Sequence, residues 1–234
     1  MTEAVFYADA YAKECEAKIV AIEDGAIVLD RTVFYPNGGG QPGDSGELIL
    51  SDGQRIRIAD TRKGDGSILH LPEGASESAN VGAKVTAKID WERRHRHMRM
   101  HTSLHLLCSL IDAPVTGGSI SAEKGRLDFD LPESTLDKEA LSASLAQLAD
   151  VDAPISVDWI SDEEMAARPE LVRTMSVKPP SGQGKVRLIN IHNIDLQPCG
   201  GTHVTSTREI GSVRVRKIEK KGRQNRRVIL VFDD

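Results

Sequence analysis

The stretch EAKIVAIEDGAIVLD, residues 16–30, decides the fold of the first part of this chain. Apolar and polar side chains alternate on both sides of Asp24-Gly25, which is the pattern of two antiparallel strands joined by a two-residue turn. The segment GELILSDGQRIRIAD, residues 46–60, repeats this pattern around Asp52-Gly53. Two such hairpins predict a small antiparallel β-barrel, or a sandwich, within residues 1–90.

Beyond residue 90 the pattern changes to a mixture of helices and strands. Met98, Leu104 and Cys108 recur with their neighbours at three- and four-residue steps, which predicts a long helix. We expect helices over 93–111, 135–149 (with Ser134 and Asp137 as a cap pair) and 161–172 (stopped by Pro169), and strands over 124–131, 156–160, 186–191, 211–221 and 226–234. The prediction is an α+β fold, with a barrel domain (1–90) followed by an α/β-sandwich domain (91–234).

The composition is that of an ordinary soluble protein. No run of about 18 apolar residues could span a bilayer, and the first residues lack the basic start and apolar middle of a signal peptide. We therefore expect a cytoplasmic protein with no membrane partner. The three cysteines are odd in number and far apart in sequence, which argues against a disulfide framework and favours metal binding or reactivity.

The net charge of −5 conceals an uneven distribution. Residues 1–90 carry 9 basic and 15 acidic side chains, whereas residues 91–234 carry 21 and 20. The positive charge is concentrated in a first basic cluster (93–99) and a second basic cluster (208–227), as a phosphate backbone requires. The candidate phosphate contacts are Arg93, Arg94, Arg96, Arg99, Lys220, Lys221, Arg226 and Arg227, with His95 and His97 expected to be exposed among them. A solvated basic face is the alternative interpretation.

Two pairs of residues carry the donor atoms of a metal site. Cys199 and His203 lie four positions apart in LQPCGGTHVTS, residues 196–206, and His101 and His105 lie one helical turn apart in HTSLH. Together they supply the four nitrogen and sulfur donors that zinc prefers. The first pair could instead be a nucleophile and its base, or two unrelated residues, and Cys108 could replace one ligand. His70 and His192 have no partner in sequence and favour core or surface roles.

Three motifs, in order, carry a resemblance to a known family. FYPNGGGQPGDSG, RMHTSLHLL and CGGTHVTSTREIG resemble the alanyl-tRNA editing proteins of the AlaX family and the matching editing domain of alanyl-tRNA synthetase. The glycine-rich motif resembles the longer type, which has a β domain before the editing domain. Ser103 and Leu104 differ from the commoner form of the histidine motif, but neither is a ligand position. The resemblance implies a freestanding editor without a nucleotide cofactor.

The resemblance also implies the reaction and its residues. The expected activity is hydrolysis of the ester that links a wrong amino acid, serine mainly and glycine secondarily, to alanine tRNA. Zinc would be the cofactor, with His101, His105, Cys199 and His203 as ligands. Residues 31–46 are expected to form a glycine-rich loop that lets backbone approach the substrate. The implied substrate-binding residues are Thr32, near the amino-acid pocket, and Gly38, Gly39, Gly40, Gln41 and Asp44.

Two other functions remain open from the sequence. One is a zinc-stabilised RNA-binding module without hydrolytic activity, which would also need the basic clusters and four ligands. The other is editing of another mischarged tRNA such as threonine tRNA, because the threonyl-tRNA synthetase editing domain resembles this chain around the histidine and cysteine motifs. The glycine-rich loop could likewise be an ordinary connection between hairpins.

Overall fold

The computed structural model describes residues 1–74, 79–132, 136–173 and 184–233. The chain divides into two compact units, residues 1–95 and 96–234. The expected boundary near residue 90 lies five residues before this division, and the assignment of separate functional domains to the two parts stays a prediction. No helix among the described residues is both long enough and apolar enough to cross a membrane.

The first unit is built around a β-barrel. Its elements are β1 (Glu3–Ala4), α1 (Val5–Ala8), β2 (Glu14–Glu23), β3 (Ala26–Leu29), β4 (Arg31–Thr32), β5 (Gly46–Leu50), β6 (Arg55–Lys63), β7 (Ile68–Pro72) and β8 (Lys84–Ile89). Six of these strands close a barrel in the order β2-β3-β7-β6-β5-β8, and every pairing in it is antiparallel. The predicted small antiparallel barrel is therefore confirmed.

The two predicted hairpin turns have different outcomes. Asp24 and Gly25 have φ values of 48° and 82°, and they join β2 to β3 directly, as a two-residue turn requires. The second turn is not a two-residue turn, because residues 51–54 all lie between β5 and β6. The Asp52 carboxylate accepts the backbone N–H of Gln54 at 2.9 Å, which stabilises the longer loop.

Alternating side chains fill the barrel interior, since successive residues of a strand point to opposite faces. On β2, Ala17 and Ile19 are buried while their neighbours Lys18 and Val20 are exposed. The buried cluster comprises Ala17, Ile19, Ile27, Leu29, Val33, Phe34, Leu48, Ile56, Ile58, Ala79, Val85, Ala87 and Ile89. This apolar core makes the barrel a rigid support for the glycine-rich loop between β4 and β5.

The long helix α2 spans Trp91–Leu110 and runs from the first unit into the second. It begins two residues before the predicted start, because the carboxylate of Asp90 accepts the backbone N–H of Arg93 at 3.1 Å. The first turn of α2 thus belongs to the barrel unit, and its later turns carry His101 and His105.

Within its described residues, the second unit contains two sheets and the rest of α2. Its other elements are β9 (Val115–Ile120), β10 (Lys124–Asp130), α3 (Lys138–Asp150), β11 (Ile155–Ser161), α4 (Asp162–Ala166), β12 (Lys185–Ile191), β13 (Asp195–Pro198), β14 (Val213–Lys221) and β15 (Asn225–Phe232), with 3₁₀ helices at Pro169–Leu171 and Thr207–Ile210. The sheets have the strand orders β14-β15-β10-β9 and β11-β12-β13. The α+β fold class is confirmed.

Several element boundaries differ from the expectation. Asp137 caps α3 by accepting the N–H of Ala140 at 2.8 Å, and Ser134, the other residue of the predicted cap pair, lies outside the described residues. Helix α4 ends at Ala166, and Pro169 begins a 3₁₀ helix instead of stopping the α-helix. The sequence pattern does not predict β9, because its Gly117-Gly118 pair lowers strand propensity, and it does not predict the short β13.

Candidate metal centre

The structure brings together the four residues of the two motifs. We call His101, His105, Cys199 and His203 the metal cluster; their nitrogen and sulfur ligand atoms all lie within 4.8 Å of one another. The Cys199 Sγ atom lies 3.5 Å from His101 Nε2 and 3.3 Å from His203 Nε2. Zinc bonds of about 2.0–2.3 Å at tetrahedral angles place neighbouring donors about 3.3–3.8 Å apart. The cluster can therefore hold a metal ion.

Two local structures present these ligands. Helix α2 places His101 and His105 one turn apart, and their ring centroids are separated by 5.4 Å. The turn that follows β13 carries Cys199 and His203, and buried Arg187 of β12 holds it in shape. The Arg187 Nη1 atom donates to the carbonyl oxygens of Cys199 at 2.8 Å and of Gly201 at 2.9 Å. The turn is thus tied to the sheet through its backbone, and the Cys199 sulfur is left to face the histidines.

Hydrogen bonds fix the orientation of two imidazoles. His105 Nδ1 lies 3.0 Å from the Asp195 carboxylate, and His203 Nδ1 lies 3.1 Å from the Thr102 hydroxyl. Because Thr102 donates its own proton to the Met98 carbonyl at 3.0 Å, it accepts from His203 Nδ1–H. His203, with its proton on Nδ1, therefore presents an unprotonated Nε2 towards Cys199 Sγ, as metal coordination requires.

Sequence reasoning missed these supporting residues. Asp195, Thr102 and Arg187 are ordinary polar side chains, and their neighbours along the chain do not distinguish them. A signal existed for Asp195, since it alternates with Gln197 on the strand that leads into the Cys199 turn, so that both point to one sheet face. Metal-binding histidines almost always have such partners, and the motif alone could have prompted a search for them.

The electrostatics of the cluster suit a cation. Burial opposes the thiolate of Cys199, but the neighbouring His101 and His203 outweigh it and lower the pKa of this thiol well below its usual value. Burial and the adjacent His101 lower the pKa of His203 well below its ordinary range. These directions favour a thiolate and a neutral imidazole, the forms in which cysteine and histidine bind metals.

His105 behaves differently from His203. Burial again disfavours its charged form, but hydrogen bonds to Asp195 and Cys199 outweigh burial and raise the pKa of His105 to about 9. A positive charge is therefore stabilised at this point, between a carboxylate and a sulfur. A cation bound by the cluster would supply that charge in place of the proton.

Cys108 is not part of the metal cluster. Burial raises the pKa of this thiol to about 12, so the side chain stays protonated and apolar in character. The interpretation of Cys108 as a buried small hydrophobic residue therefore fits the structure better than its use as a replacement ligand.

The glycine-rich loop lies in the first unit and is firmly anchored there. The Asp44 carboxylate accepts the Tyr35 N–H at 2.7 Å and forms a buried ion pair with Arg94. A Cβ on Gly43 would lie 2.0 Å from the Thr61 carbonyl oxygen, so only glycine fits there. Gly39 and Gly40 have φ values of 59° and 82°, and Gly38 and Gln41 exchange backbone hydrogen bonds. The loop is thus an ordered structure in which Gln41 is buried.

Thr32 is fully buried beside the loop. Its hydroxyl lies 2.8 Å from Nε2 of His70 and accepts the Phe34 N–H at 3.1 Å. The Nδ1 atom of His70 lies 2.9 Å from the Ile27 carbonyl, and burial lowers the pKa of His70 to about 4. A neutral His70 donates from Nδ1 to that carbonyl, so Nε2 accepts the Thr32 proton. Of the core or surface roles expected for these two histidines, His70 has a core role and His192 is exposed.

The basic clusters are only partly available to a ligand. Arg94 is completely buried, donates to Asp44 and to the Val33 carbonyl, and does not fit the predicted tRNA contact. His97, which was expected to be exposed, is buried, and half-buried His95 stacks on Trp91.

The half-buried arginines donate to carbonyl or carboxylate oxygens: Arg93 to Gly43, Arg96 to Ala122, Arg99 to Ile210, Arg226 to Pro132 and Arg227 to Asp128. Lys220 and Lys221 are exposed.

Comparisons with known proteins place this fold and site in a class. The model of the threonyl and alanyl tRNA synthetase second additional domain matches residues 186–229, and the model of class II (A) tRNA synthetases matches residues 2–93. The chain therefore has segments typical of aminoacyl-tRNA synthetases, one of which contains Cys199 and His203.

Full-length relatives narrow the class to a family. The alanyl-tRNA editing protein AlaX-M of Methanosarcina barkeri is 37% identical over 243 residues, covering 100% of both chains. AlaX-M of Saccharolobus solfataricus is 36% identical and covers 97% of this chain and 98% of its own. The alanine–tRNA ligase of Metallosphaera sedula is 36% identical over 94% of this chain but only 25% of the ligase. The chain belongs to the AlaX family of alanyl-tRNA editing proteins.

Proposed function

We propose that this protein hydrolyses the ester of serine, and secondarily of glycine, mischarged onto alanine tRNA. The observation that carries the proposal is the convergence of the four donor atoms of the metal cluster within 4.8 Å, in a chain whose full-length relatives are named alanyl-tRNA editing proteins. The substrate is an aminoacylated tRNA, so we place the protein in the cytoplasm, where tRNA is charged.

Zinc is the proposed ion. Three imidazoles and one thiolate form a donor set typical of zinc, and the separations of Cys199 Sγ from His101 Nε2 and His203 Nε2 match its bond lengths. When bound, zinc would either activate the attacking water as a Lewis acid or hold the aminoacylated end of the tRNA in place. Thr102 and Asp195 hold the Nδ1 protons of His203 and His105 away from the ion, and His105 would give up its Nε2 proton when the ion binds.

The need for such an enzyme follows from the substrates. A pocket built for alanine cannot strongly reject glycine, and it accommodates the single added hydroxyl of serine, so the error must be recognised at a second site. Serine differs from alanine only by that hydroxyl, which can form a hydrogen bond that alanine cannot form.

We propose Thr32 and the glycine-rich loop as the part that recognises serine. Because the Thr32 hydroxyl donates to His70 and accepts from Phe34 N–H, one lone pair remains, and serine would have to donate its hydroxyl proton. Thr32 is fully buried, so this contact also requires the surrounding side chains to move apart when substrate binds. The backbone of Gly38, Gly39 and Gly40 and the side chain of Gln41 are the proposed neighbours, whereas Asp44 contributes by anchoring the loop.

The proposed tRNA-binding surface is narrower than the sequence suggested. It retains Lys220 and Lys221, together with Arg93, Arg96, Arg99, Arg226 and Arg227, and omits Arg94. Lys221 lies 3.2 Å from Glu219, but both groups are partly exposed, and such surface pairs exchange readily with a phosphate.

Charge reversal of Lys220 and Lys221 should weaken tRNA binding and reduce its salt dependence. Each lost phosphate contact removes about one counterion from the binding equilibrium, so the log–log slope against salt should fall by about two. The measurement is tRNA affinity at several salt concentrations, with zinc content recorded in parallel. Reversal of exposed Lys18, which lies on the barrel, provides a matched control. Equal slopes for the natural protein and the variant would favour a solvated face.

One assay tests the proposed function: release of serine, glycine and alanine from the corresponding esters of alanine tRNA by purified protein. The match to the threonyl and alanyl second additional domain makes editing of threonine tRNA the second candidate. Seryl threonine tRNA is therefore included as a substrate. Tight tRNA binding without hydrolysis of any ester would instead support a zinc-stabilised RNA-binding module.

A further inference from the structure

Asp195 lies directly behind a residue of the metal cluster. It is the first residue of β13, and its side chain is only 1% exposed. Its Oδ2 atom lies 3.0 Å from His105 Nδ1 and accepts the side-chain N–H of Gln197 at 2.7 Å. Its Oδ1 atom is buried and forms no hydrogen bond with the described part of the chain. Both donors therefore converge on one oxygen, and the charge of this carboxylate is poorly compensated by hydrogen bonds.

A carboxylate in this position is costly unless positive charge lies nearby. Burying an ionised group without a counter-charge costs several kcal/mol, and an amide of the same shape would satisfy His105 and remove the charge. No lysine or arginine forms an ion pair with Asp195 within the described residues; its ion-pair partner there is His105. If Asp195 only held His105 in place, a neutral amide would serve equally well, so this role does not account for the negative charge of the side chain.

A divalent cation in the metal cluster resolves this imbalance. The thiolate of Cys199 and the carboxylate of Asp195 carry about two negative charges, and a divalent ion carries two positive charges. The charges of the ion, its four ligands and Asp195 then cancel. Without Asp195 a net positive charge would remain there, in addition to that of buried Arg187 on the neighbouring carbonyl oxygens, and uncompensated charge is unfavourable in a site of low polarity.

We propose that Asp195 is a positioning residue of the metal site, which fixes the His105 tautomer that presents Nε2 to the ion and balances the charge of a divalent cation. The inference rests on the proposed metal site. Gln197 supports it by holding the Oδ2 atom of Asp195 against His105. Carboxylate partners of this kind orient metal-bound histidines and increase their basicity as ligands.

The other oriented histidine provides an internal comparison. His203 donates to the neutral hydroxyl of Thr102, which fixes its tautomer without contributing charge. Loss of Thr102 should therefore affect orientation alone, while loss of the Asp195 charge should affect the affinity for the ion through both orientation and electrostatics.

The test is zinc affinity, measured by competition with a chromogenic chelator on the purified protein. Asp195→Asn preserves shape and an acceptor for His105 but removes the charge, and we expect zinc binding to weaken about 10- to 100-fold. Asp158→Asn is the matched control, because Asp158 is an exposed aspartate on β11 whose carboxylate accepts a hydrogen bond from the Asn190 side chain at 3.1 Å. The zinc affinity of this variant should equal that of the natural protein. Urea denaturation of each zinc-loaded variant verifies that it is folded.

A second measurement needs no variant. Nitrogen-15 NMR of the zinc-loaded natural protein should show His105 protonated at Nδ1 and unprotonated at Nε2. Asp195→Asn with zinc affinity within twofold of natural, or a His105 proton on Nε2 in the natural protein, would overturn the role of Asp195. A natural protein that binds no zinc would instead refute the proposed metal site, so the two failures are distinguishable.

Discussion

Replacement of Cys199 by alanine should remove the bound metal and the hydrolytic activity together. An apparent binding free energy of about 10–16 kcal/mol shared among four ligands gives about 2.5–4 kcal/mol for each, or about 60- to 700-fold in affinity. Zinc content after dialysis should therefore fall from one ion per chain to a small fraction. Release of serine from seryl alanine tRNA should fall by more than about 100-fold, because the proposed zinc ion either activates the attacking water or positions the ester.

Cys108→Ala is the matched control for this experiment. Cys108 lies on the same helix as His101 and His105 and is buried, but it is outside the metal cluster. Its variant should retain one zinc per chain and the seryl rate. A Cys199→Ala protein that keeps its zinc would exclude Cys199 as a ligand. One that loses zinc but keeps the activity would show that the ion has only a structural role.

Replacement of Arg94 by methionine should destabilise the protein severely without removing a tRNA contact. Methionine fills similar space but leaves the buried Asp44 carboxylate without its counter-charge, and breaking such a pair costs about 3–5 kcal/mol. The lost bond from Arg94 to the Val33 carbonyl, 2.7 Å long in the structure, adds to this cost. The free energy of unfolding, measured in urea, should fall by that amount.

Arg93→Met is the control, because it removes a neighbouring positive charge without breaking a buried ion pair. Arg93 donates to the Gly43 carbonyl at 2.7 Å but forms no ion pair in the described residues, so its loss should cost about 1–3 kcal/mol. Adding Asp44→Leu to Arg94→Met should recover part of the stability, since no unpaired charge remains. An Arg94→Met protein as stable as the natural one, but weaker in tRNA binding, would restore the original interpretation of Arg94 as a phosphate contact.

The metal cluster was predictable because the two ligands of each pair lie close together in sequence. One helical turn separates His101 from His105, and a four-residue spacing separates Cys199 from His203, so each pair is nearly fixed by its own segment. The meeting of the two pairs was inferred from the donor types that zinc needs. The barrel was predictable for a similar reason, since alternation along a strand directly reflects one buried face.

The composition of the first basic cluster does not reveal which of its residues are buried. Arg94 and His97 stand in a run of positive charge that resembles a phosphate-binding segment, but a helix turns successive residues by about 100° and directs these two inward. The partner of Arg94 is Asp44, fifty positions away, inside a loop for which the family resemblance implies substrate binding. Asp195 was missed for the same reason, because its role depends on a histidine that lies ninety positions earlier.

The measurement that tests the central claim most directly is the ratio of hydrolysis rates for seryl and alanyl esters of alanine tRNA. The account predicts rapid release of serine by the zinc-loaded natural protein, slower release of glycine, and little release of alanine. Some of this preference comes from a single hydrogen bond, about 0.5–1.5 kcal/mol or two- to twelvefold in rate, and the rest from polar groups left unpaired when alanine is bound. Equal hydrolysis of the seryl and alanyl esters, or hydrolysis of neither, would contradict the proposed editing function.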